Sequence, residues 1–320
     1  MRILVSGGAG YIGSVVATRL LEIGHEVTVI DDLSTGHRDA VPDGARLVLG
    51  RVHDAGSLLG DERFDGAVHL AASSLVGESI ENPEKYWENN VVGTRRLLDA
   101  LEARGVPRIV FSSTAAVYGE PERVPVDEGA SAHPVNPYGE SKLAVDEMLA
   151  GDGAAGRIGA VSLRYFNVAG AYRGRGERHD PETHLVPIAL QAALGTRRGL
   201  VVYGDDYPTR DGTCVRDYIH VADLAEAHLG ALCSIGAGAH RVYNLGNGAG
   251  FTVREVIAAV EAVTGAAIAV TVSGRRAGDP AVLVASSARA QDELGWRPER
   301  PTLDEMIRDA WDVLRARGSR

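Results

Sequence analysis

Cysteine is almost absent from this chain of 320 residues, which contains only Cys214 and Cys233. Neither lies in a CxxC motif or near a cluster of histidine and cysteine at metal-ligand spacing, so we expect no disulfide framework and no metal site. Long hydrophobic runs are missing as well, since no apolar stretch reaches the roughly 18 residues that a membrane-spanning helix needs. The first residues, MRILVSGG, have the pattern of a strand and not of a targeting segment. We therefore expect a cytoplasmic protein that does not bind membranes.

An excess of basic charge is also missing, because the formal net charge is −10 at pH 7. Nucleic acids and anionic membranes are polyanions, and this charge balance argues against both as partners. An anionic nucleotide stays open as a ligand, since a few local arginines suffice to bind a diphosphate. Lysine is scarce: Lys85 and Lys142 are the only two among 33 lysines and arginines. A lysine retained against this bias favours a position that arginine cannot fill.

Short apolar runs alternate with helical patterns through the first half of the chain. The runs are residues 3–5, 27–30, 46–49, 67–70, 108–111 and 160–164. Apolar strands between amphipathic helices are typical of a parallel sheet covered on both faces, which predicts an α/β fold with a Rossmann-type doubly wound parallel sheet. We assign residues 1–165 to this domain and residues 166–320 to a smaller C-terminal substrate-binding lobe. Segments at about 215–245 are predicted to rejoin the sheet.

A glycine-rich loop, GGAGYIG, directly follows the first predicted strand and directly precedes a helix. In such a loop Gly7 permits the tight turn, Gly10 lets the backbone approach a pyrophosphate, and Gly13 allows close helix–strand packing. The helix start adds free N–H groups and the positive end of its dipole. Asp31, with Asp32 beside it, lies about 20 residues further on, where a carboxylate binds ribose hydroxyls and repels a 2′-phosphate. The pattern predicts NAD as the cofactor and does not rank the two aspartates.

A tyrosine and one of the two lysines lie four residues apart in PYGESK. On a helix, Tyr138 and Lys142 share one face, so the ammonium is predicted to lower the pKa of the phenol towards working pH. Thr114, which follows the strand-like run at 108–111, can share a substrate hydroxyl. The alternative is an ordinary half-buried tyrosine near an ordinary surface lysine. The survival of Lys142 in an arginine-rich chain favours the catalytic interpretation.

Longer segments carry a family resemblance: GGAGYIGS, VGES, NNVVGT, FSSTAAVYGE, NPYGESK, LRYFNVAGA, DYPTRDGTCVRDYIHVADLA, YNLGNG, RRAGDP and LGW. Over essentially its whole length the chain resembles the extended short-chain dehydrogenase/reductase family, and within it the UDP-glucose 4-epimerases. The block around Arg216 is the most specific of these segments. The resemblance implies a tightly held NAD, transient oxidation of a UDP-hexose at C4, and return of the hydride to the opposite face. It also implies a homodimer.

The resemblance also implies roles for individual residues. Thr114, Tyr138 and Lys142 would be catalytic. The NAD contacts would comprise Gly7, Gly10, Tyr11, Ile12, Gly13, Asp31, Asp32, Asn89, Tyr138, Lys142 and Tyr165. The UDP-sugar contacts would comprise Thr114, Asn167, Tyr203, Arg216, Arg276 and Asp279. The alternative for Arg216 and Arg276 is a salt bridge with Asp217 or Asp279.

Several positions depart from the pattern of the family that the chain resembles. Arg51 stands where an aspartate for the adenine is common, Ser74 where a lysine near the cofactor is common, and His184 where an asparagine near the uracil is common. Leu283 aligns with the position that limits bulk at the sugar 2-substituent, and leucine is of intermediate size. Epimerisation of a UDP-N-acetylhexosamine or a UDP-uronic acid therefore stays open.

Two further hypotheses compete with an epimerase. A nucleotide-sugar 4,6-dehydratase usually carries Asp-Glu directly after the threonine, whereas Ala115 and Ala116 stand here and cannot transfer protons. A decarboxylase is a related possibility. A non-catalytic Rossmann protein would need neither Tyr138 nor Lys142, and both are present.

Overall fold

The computed structural model describes residues 1–236, 238–276 and 278–318. Its centre is a seven-stranded parallel sheet with the strand order β13-β6-β5-β4-β1-β2-β3. The strands of this sheet are β1 (Arg2–Ser6), β2 (Glu26–Asp31), β3 (Arg46–Leu49), β4 (Gly66–His69), β5 (Arg108–Thr114), β6 (Gly159–Tyr165) and β13 (His240–Leu245). The predicted Rossmann-type doubly wound parallel sheet is confirmed.

Short strands lie outside this sheet and build the smaller lobe and its junction. They are β7 (Asn167–Ala169), β8 (Ala171–Tyr172), β9 (Arg175–Gly176), β10 (Leu200–Tyr203), β11 (Val215–Arg216), β12 (Tyr218–His220), β14 (Phe251–Thr252), β15 (Val270–Ser273) and β16 (Val282–Leu283). Strand β11 pairs with both β14 and β16, β12 pairs with β7, and β10 pairs with β15.

Helices cover both faces of the sheet and pack within the smaller lobe. They are α1 (Tyr11–Glu22), α2 (Ala55–Leu58), α3 (Val76–Glu81), α4 (Pro83–Tyr86), α5 (Gly93–Ala103), α6 (Pro137–Ala154), α7 (Leu185–Ala193), α8 (Val221–Ser234), α9 (Val253–Thr264), α10 (Ala288–Leu294) and α11 (Leu303–Gly318). A π-helical turn, Trp87–Val92, leads into α5, and short 3-10 turns occur at Arg38–Ala40, Val52–Asp54 and Ala115–Tyr118. Within the part of the chain that the structure describes, none of the helices combines the length and apolar character needed to cross a bilayer.

Residues of β1 alternate between the two faces of the sheet, as the period of a strand requires. Ile3 and Val5 belong to one buried cluster with α1 and α8, which includes Leu224. Leu4 belongs to the opposite cluster with α5 and α6, which includes Leu101. A third cluster, built from α7, α9, α11 and the strand β10, forms the core of the smaller lobe. The continuous apolar strands of the sequence thus reflect burial on both sides.

The chain leaves the sheet after β6 and returns to it later. Helix α8 packs against α1 in the first core cluster, and β13 hydrogen-bonds to β6 at the edge of the sheet. These two elements fall within or next to the segment 215–245. The division into residues 1–165 and 166–320 stays a prediction.

The return of α8 predicts a large effect of one buried side chain. Leu224 of α8 is fully buried, so Leu224→Ala should lower the free energy of unfolding by about 2–5 kcal/mol, because it removes buried apolar contact and leaves a cavity. Leu49 is 53% exposed, and the matched control Leu49→Ala should change it by no more than about 0.5 kcal/mol. Urea denaturation measures both. Equal losses in the two variants would contradict the packing of α8 on the sheet.

Candidate active site

The glycine loop connects β1 to α1 at the carboxyl edge of the sheet. Gly7 has φ of 74°, and a Cβ there would lie 2.6 Å from the backbone N of Ala71. A Cβ on Gly13 would collide with the carbonyl oxygen of Gly7. Gly10 is the N-cap residue of α1, and within the described chain no side chain caps this helix start and no acid lies in its first turn. The N–H groups of Tyr11 and Ile12 begin the helix, and this cradle fits a phosphate group.

The structure distinguishes the two aspartates that follow β2. Asp31 is buried, and its carboxylate accepts hydrogen bonds from the N–H of Ala9 in the glycine loop, at 3.0 Å, and of Leu33, at 2.8 Å. Burial raises the pKa of Asp31, and these two backbone hydrogen bonds act against that rise. Asp32 is exposed and accepts from the N–H of Ser34 at 2.9 Å. Asp31 is therefore the aspartate that is tied to the glycine loop.

Thr114, Tyr138 and Lys142 come together, as the sequence analysis expected of a catalytic set. Thr114 ends β5, and Tyr138 and Lys142 lie in the first two turns of α6. This helix starts at this point because Pro137 occupies its first turn and the Asn136 side chain accepts the N–H of Gly139 at 2.9 Å. The Tyr138 phenol is hydrogen-bonded to Thr114.

Lys142 is 2% exposed, and its Nζ donates to the Ser112 carbonyl oxygen at 2.8 Å. The same Nζ lies 4.7 Å from the centroid of the Phe111 ring and 5.9 Å from the centroid of the Tyr138 ring. Burial lowers the pKa of Lys142 to about 7, and the negative charge of Asp146 acts against this shift. The lysine is thus buried and points its ammonium at a backbone carbonyl.

The predicted lowering of the Tyr138 pKa is not found in the chain by itself. Burial raises the pKa of the Tyr138 phenol, and its hydrogen bond with Thr114 acts in the opposite direction. The physical reason is the low dielectric of the site, where a phenolate is poorly solvated. In addition, the Lys142 ammonium is directed at Ser112 and not at the phenol oxygen.

A relay of side chains that the sequence analysis missed packs against Tyr138. The Tyr86 ring meets the Tyr138 ring edge-on, with 6.4 Å between centroids. The Tyr86 hydroxyl lies 2.6 Å from the Leu75 carbonyl oxygen and 2.9 Å from the Glu78 carboxylate, and these two acceptors share its one hydrogen. Lys85 donates to the same carboxylate. Lys85, which had no predicted role, thus holds Glu78 and through it Tyr86.

Asn90 is a second buried residue without a predicted role. Its amide exchanges hydrogen bonds with the backbone of Ser73 and donates to the hydroxyl of Ser141, at 2.8 to 3.0 Å. It therefore joins the loop after β4 to α6. The neighbouring Asn89, predicted to contact NAD, accepts from Arg51 at 2.9 Å and donates to the Ser73 hydroxyl at 3.0 Å. The unexpected Arg51 thus positions a predicted cofactor residue.

The remaining predicted cofactor residues lie along the glycine loop and β6. The Tyr11 hydroxyl donates to the Gly170 carbonyl oxygen at 2.6 Å, and Ile12 packs against the first core cluster. The Tyr165 hydroxyl meets the hydroxyl of Ser112, next to the catalytic set. Burial raises the pKa of Tyr165 well above the usual range of a phenol.

The predicted UDP contacts form two pairs and one neighbour of the catalytic set. Arg216 is ion-paired with Asp279, which is the salt bridge that the sequence analysis kept as an alternative. The Arg276 guanidinium lies 3.8 Å from the centroid of the Tyr203 ring. Asn167 begins β7 two residues after Tyr165, whose register partner in β5 is Thr114.

Asp217 is the other predicted acidic partner for the two arginines. It is fully buried, and its carboxylate accepts hydrogen bonds from the backbone N–H groups of Asn247, Gly248 and Ala285. Asp217 therefore closes the turn after β13. Its hydrogen bonds hold β13, β11 and the segment after β16 together.

The positions that depart from the family pattern lie in different surroundings. Ser74 is exposed, and Leu283 is half-buried in β16, where its register partner is Arg216. Ala115 and Ala116 directly follow Thr114, so these two positions offer no acid or base. His184 lies at the start of α7, where its Nδ1 is 2.9 Å from the carboxylates of both Glu177 and Glu182.

Residues 3–246 match the model of the NAD dependent epimerase/dehydratase family. The chain belongs to this family. It is 53% identical to the UDP-glucose 4-epimerase of Corynebacterium glutamicum, over 100% of this chain and 98% of the relative. The crystal structure of UDP-glucose 4-epimerase from Brucella ovis in complex with NAD has a TM-score of 0.93 and 44% identity, and covers 97% of each chain.

A second solved structure extends the comparison to the nucleotide. The epimerase of Bifidobacterium longum in complex with NAD⁺ and UDP has a TM-score of 0.92 and 34% identity, and covers 99% of each chain. The predicted resemblance and the predicted use of NAD are confirmed by these family members. The roles of individual residues stay predictions.

The buried Lys142 predicts a pH dependence of stability in the chain freed of NAD. Burial lowers its pKa to about 7, against an ordinary value of 10.5. Between these values the folded chain has released a proton that the unfolded chain still holds, so stability rises with pH. Relative to Lys142→Met, the wild type should gain up to about 1.4 kcal/mol per pH unit across about pH 8 to 10.

Chemical denaturation at several pH values measures this difference. Lys85→Met is the matched control, because Lys85 is exposed, and it should follow the pH dependence of the wild type. A wild type and a Lys142→Met variant whose stabilities change in parallel with pH would contradict the burial of a titrating lysine.

Proposed function

We propose that the chain interconverts UDP-galactose and UDP-glucose by inverting the configuration at C4, with tightly bound NAD. One observation carries this proposal: Thr114, Tyr138 and Lys142 converge at the carboxyl edge of the sheet, on the edge that also presents the glycine loop. This set occurs in a chain that is similar over its full length to named UDP-glucose 4-epimerases. The glycine cradle and the buried Asp31 fit a dinucleotide.

The proposed NAD contacts follow from the geometry of the loop. Backbone N–H groups at Tyr11 and Ile12 would bind the pyrophosphate, which Gly7, Gly10 and Gly13 allow to approach. Asp31 would accept the ribose hydroxyls, and Asp32, which is exposed, would not. Asn89 and Tyr165 would complete the nicotinamide side, together with Tyr138 and Lys142.

Tyr138 is the proposed acid and base. Its phenol would accept the proton of the C4 hydroxyl, and Thr114, already hydrogen-bonded to that phenol, would hold the sugar oxygen in line. NAD, when bound, would supply a hydride acceptor and donor for C4. Tyr138 would give its proton back to the oxygen at C4 of the sugar once the sugar presents its other face. No net oxidation results.

Lys142 would lower the cost of the phenolate. Burial raises the pKa of Tyr138, so the free chain keeps the phenol protonated. The Lys142 ammonium and a positively charged nicotinamide ring both favour the phenolate electrostatically. Substrate and NAD together would thereby bring the phenol into its working range, and the base would form only when the site is filled.

Two arginines that are paired with other side chains in the free chain would leave those partners and bind the UDP moiety instead. Arg216 and Arg276 would bind the diphosphate, since a guanidinium matches phosphate oxygens. Asp279 would then be free for the ribose and Tyr203 for the uracil. Asn167 lies beside the catalytic set and would contact the diphosphate end of the ligand. Until the ligand binds, Asp279 balances the charge of Arg216, and Arg276 stacks on the Tyr203 ring.

Within a family that includes both epimerases and dehydratases, this chain is poorly suited to elimination chemistry. Loss of a C6 hydroxyl needs an acid and a base beyond the tyrosine, and the turn after Thr114 holds Ala115 and Ala116. We also propose, from the sequence, that the protein is a homodimer and is located in the cytoplasm. Leu283 leaves the acceptance of an N-acetyl group to experiment.

Tyr138→Phe tests the proposed base. The wild type, incubated with UDP-galactose and no added NAD, should form UDP-glucose, because NAD is expected to co-purify. Removal of the hydroxyl should lower the rate by about 100- to 10,000-fold, since the proton at O4 loses its acceptor. Chromatography of the sugar nucleotides measures conversion.

The control Tyr172→Phe removes a hydroxyl that donates to Glu22 at the surface, and it should leave the rate unchanged. NAD released on denaturation of Tyr138→Phe shows whether that variant still folds and binds cofactor. If the wild type converts no UDP-galactose even when NAD is supplied, the assignment of UDP-galactose as the substrate is wrong. The same assay would then be run with UDP-N-acetylhexosamines and UDP-uronic acids.

Arg216→Lys tests the proposed diphosphate contact. Lysine keeps the charge but loses the planar fork, so KM for UDP-galactose should rise by about tenfold or more while kcat changes less. The matched control is Arg210→Lys, because Arg210 pairs with Glu255 at the surface. Steady-state kinetics of both variants decide the matter, and an equal KM in the two would refute a role of Arg216 in binding UDP.

A further inference from the structure

Four metal-ligating side chains converge outside the catalytic set. Glu177, His179, Glu182 and His184 each offer one ligand atom, and these atoms all lie within 4.8 Å of one another. They occupy the spacing E-x-H-x2-E-x-H in the long segment between β9 and α7. The expectation of no metal site rested on the surroundings of Cys214 and Cys233, and this spacing of glutamate and histidine lies outside them.

The separations are short and the carboxylates are buried. Glu177 Oε1 lies 2.9 Å from the Nδ1 atoms of both His179 and His184. Glu182 Oε1 lies 2.9 Å from His184 Nδ1. The side chains of Glu177 and Glu182 are only 9% and 4% exposed, whereas that of His184 is 43% exposed. The group therefore has a buried acidic side and one imidazole that reaches solvent.

We propose that these four residues bind a divalent transition metal of the zinc class. Imidazole nitrogen and carboxylate oxygen are ligands that such ions accept in four-coordinate sites. Two carboxylates with two neutral imidazoles carry a charge of −2, which one divalent ion balances. The Glu182 carboxylate also accepts the N–H groups of Thr183 and His184 at 2.8 Å. Such outer hydrogen bonds orient a ligating carboxylate.

The proposed metal site borders a cavity beside Tyr11 of the glycine loop, and this cavity is separate from the three catalytic residues. Glu177, His179 and Glu182 line a cavity of about 220 Å³ together with Tyr11 and Gly170, and none of the three catalytic residues lines it. An ion would reach the cluster from this cavity or past the exposed His184. The site would therefore serve structure and not the chemistry at C4.

The segment that holds the ligands is fastened to the NAD-binding domain. The Arg178 guanidinium donates to both oxygens of Asp39, at 2.9 and 3.0 Å. The Arg178 carbonyl oxygen lies 3.2 Å from His37 Nε2, and the His37 N–H donates to Ala9 in the glycine loop at 2.9 Å. A metal ion bound by the four ligands would fix the segment 177–184. It would thereby hold this segment against the loop that is proposed to bind NAD.

Zinc content tests the site directly and does not depend on epimerase activity. The full chain without a histidine tag is treated with a chelator, incubated with ZnCl2, passed through a desalting column and analysed by elemental mass spectrometry. We expect one zinc per chain and a rise in Tm with added zinc. Replacement by Co²⁺ should give the intense visible absorption of a four-coordinate site, and this readout needs no variant.

Two ligand variants and one control locate the ion. His179→Asn and His184→Asn should each lower zinc affinity by at least about tenfold, since even an outer-shell partner is worth that much. His133→Asn is the matched control at an exposed histidine, and it should bind zinc as the wild type does. These variants keep the acidic residues, so a general loss of negative charge does not explain the result.

Absence of stoichiometric zinc in the wild type, with no cobalt absorption, would overturn the proposal and leave a histidine–glutamate ion-pair cluster. Zinc bound equally by His133→Asn and by both ligand variants would place the ion elsewhere and would also overturn it. A chain that binds zinc as expected but does not convert UDP-galactose would refute the proposed function alone.

Discussion

Parallel register across the central sheet is the constraint on which the site depends. Ser6 is paired with His69, His69 with Phe111, and Thr114 with Tyr165, so the strands β1, β4, β5 and β6 all end at one edge. The glycine loop, the loop held by Asn90, the catalytic threonine and the start of the smaller lobe follow these strand ends. If one strand slipped by one residue along its neighbour, its last residue would move away from this edge and its side chains would turn to the other face of the sheet. Backbone hydrogen bonds between strands thus decide where the chemistry is possible.

Charge is handled differently on the two sides of the proposed cleft. On the cofactor side, Lys142 is buried and its pKa is lowered to about 7, and Tyr138 is kept protonated by burial. On the nucleotide side, Arg216 is neutralised by Asp279, and Arg276 is stacked on Tyr203. In the proposed mechanism, Tyr138 and Lys142 would become active only with NAD and substrate bound, and Arg216 and Arg276 would exchange their present partners for the diphosphate. Both arrangements would make the reactive state depend on bound ligands.

The fold and the convergence of Thr114, Tyr138 and Lys142 could be predicted because each rests on local pattern: continuous apolar strands, a glycine loop, and a tyrosine and lysine four residues apart on one helix. What depends on three-dimensional neighbours could not. The choice of Asp31 over Asp32 rests on a hydrogen bond to Ala9 across the loop. The hydrogen bond from Arg51 to Asn89 joins residues 38 positions apart. The pKa of Tyr138 depends on how deeply the phenol is buried, which cannot be read from the sequence. The cluster of Glu177, His179, Glu182 and His184 is different, because its four residues lie within eight positions of the sequence and are recognisable as a local pattern of glutamate and histidine.

The interleaved path of the chain limits how the protein can be rebuilt. Strand β13 belongs to the sheet and helix α8 covers one of its faces. Both elements are nevertheless encoded after β7 to β12 and before β14 to β16, which build the smaller lobe and its junction. A gene fragment that ended at the close of β6 would expose the apolar surface that α8 covers and leave β6 as an open edge. The two lobes are therefore not exchangeable cassettes, and a new substrate lobe cannot be acquired by simple fusion of gene halves. Change in specificity has to come from substitutions and loop insertions inside one continuous frame.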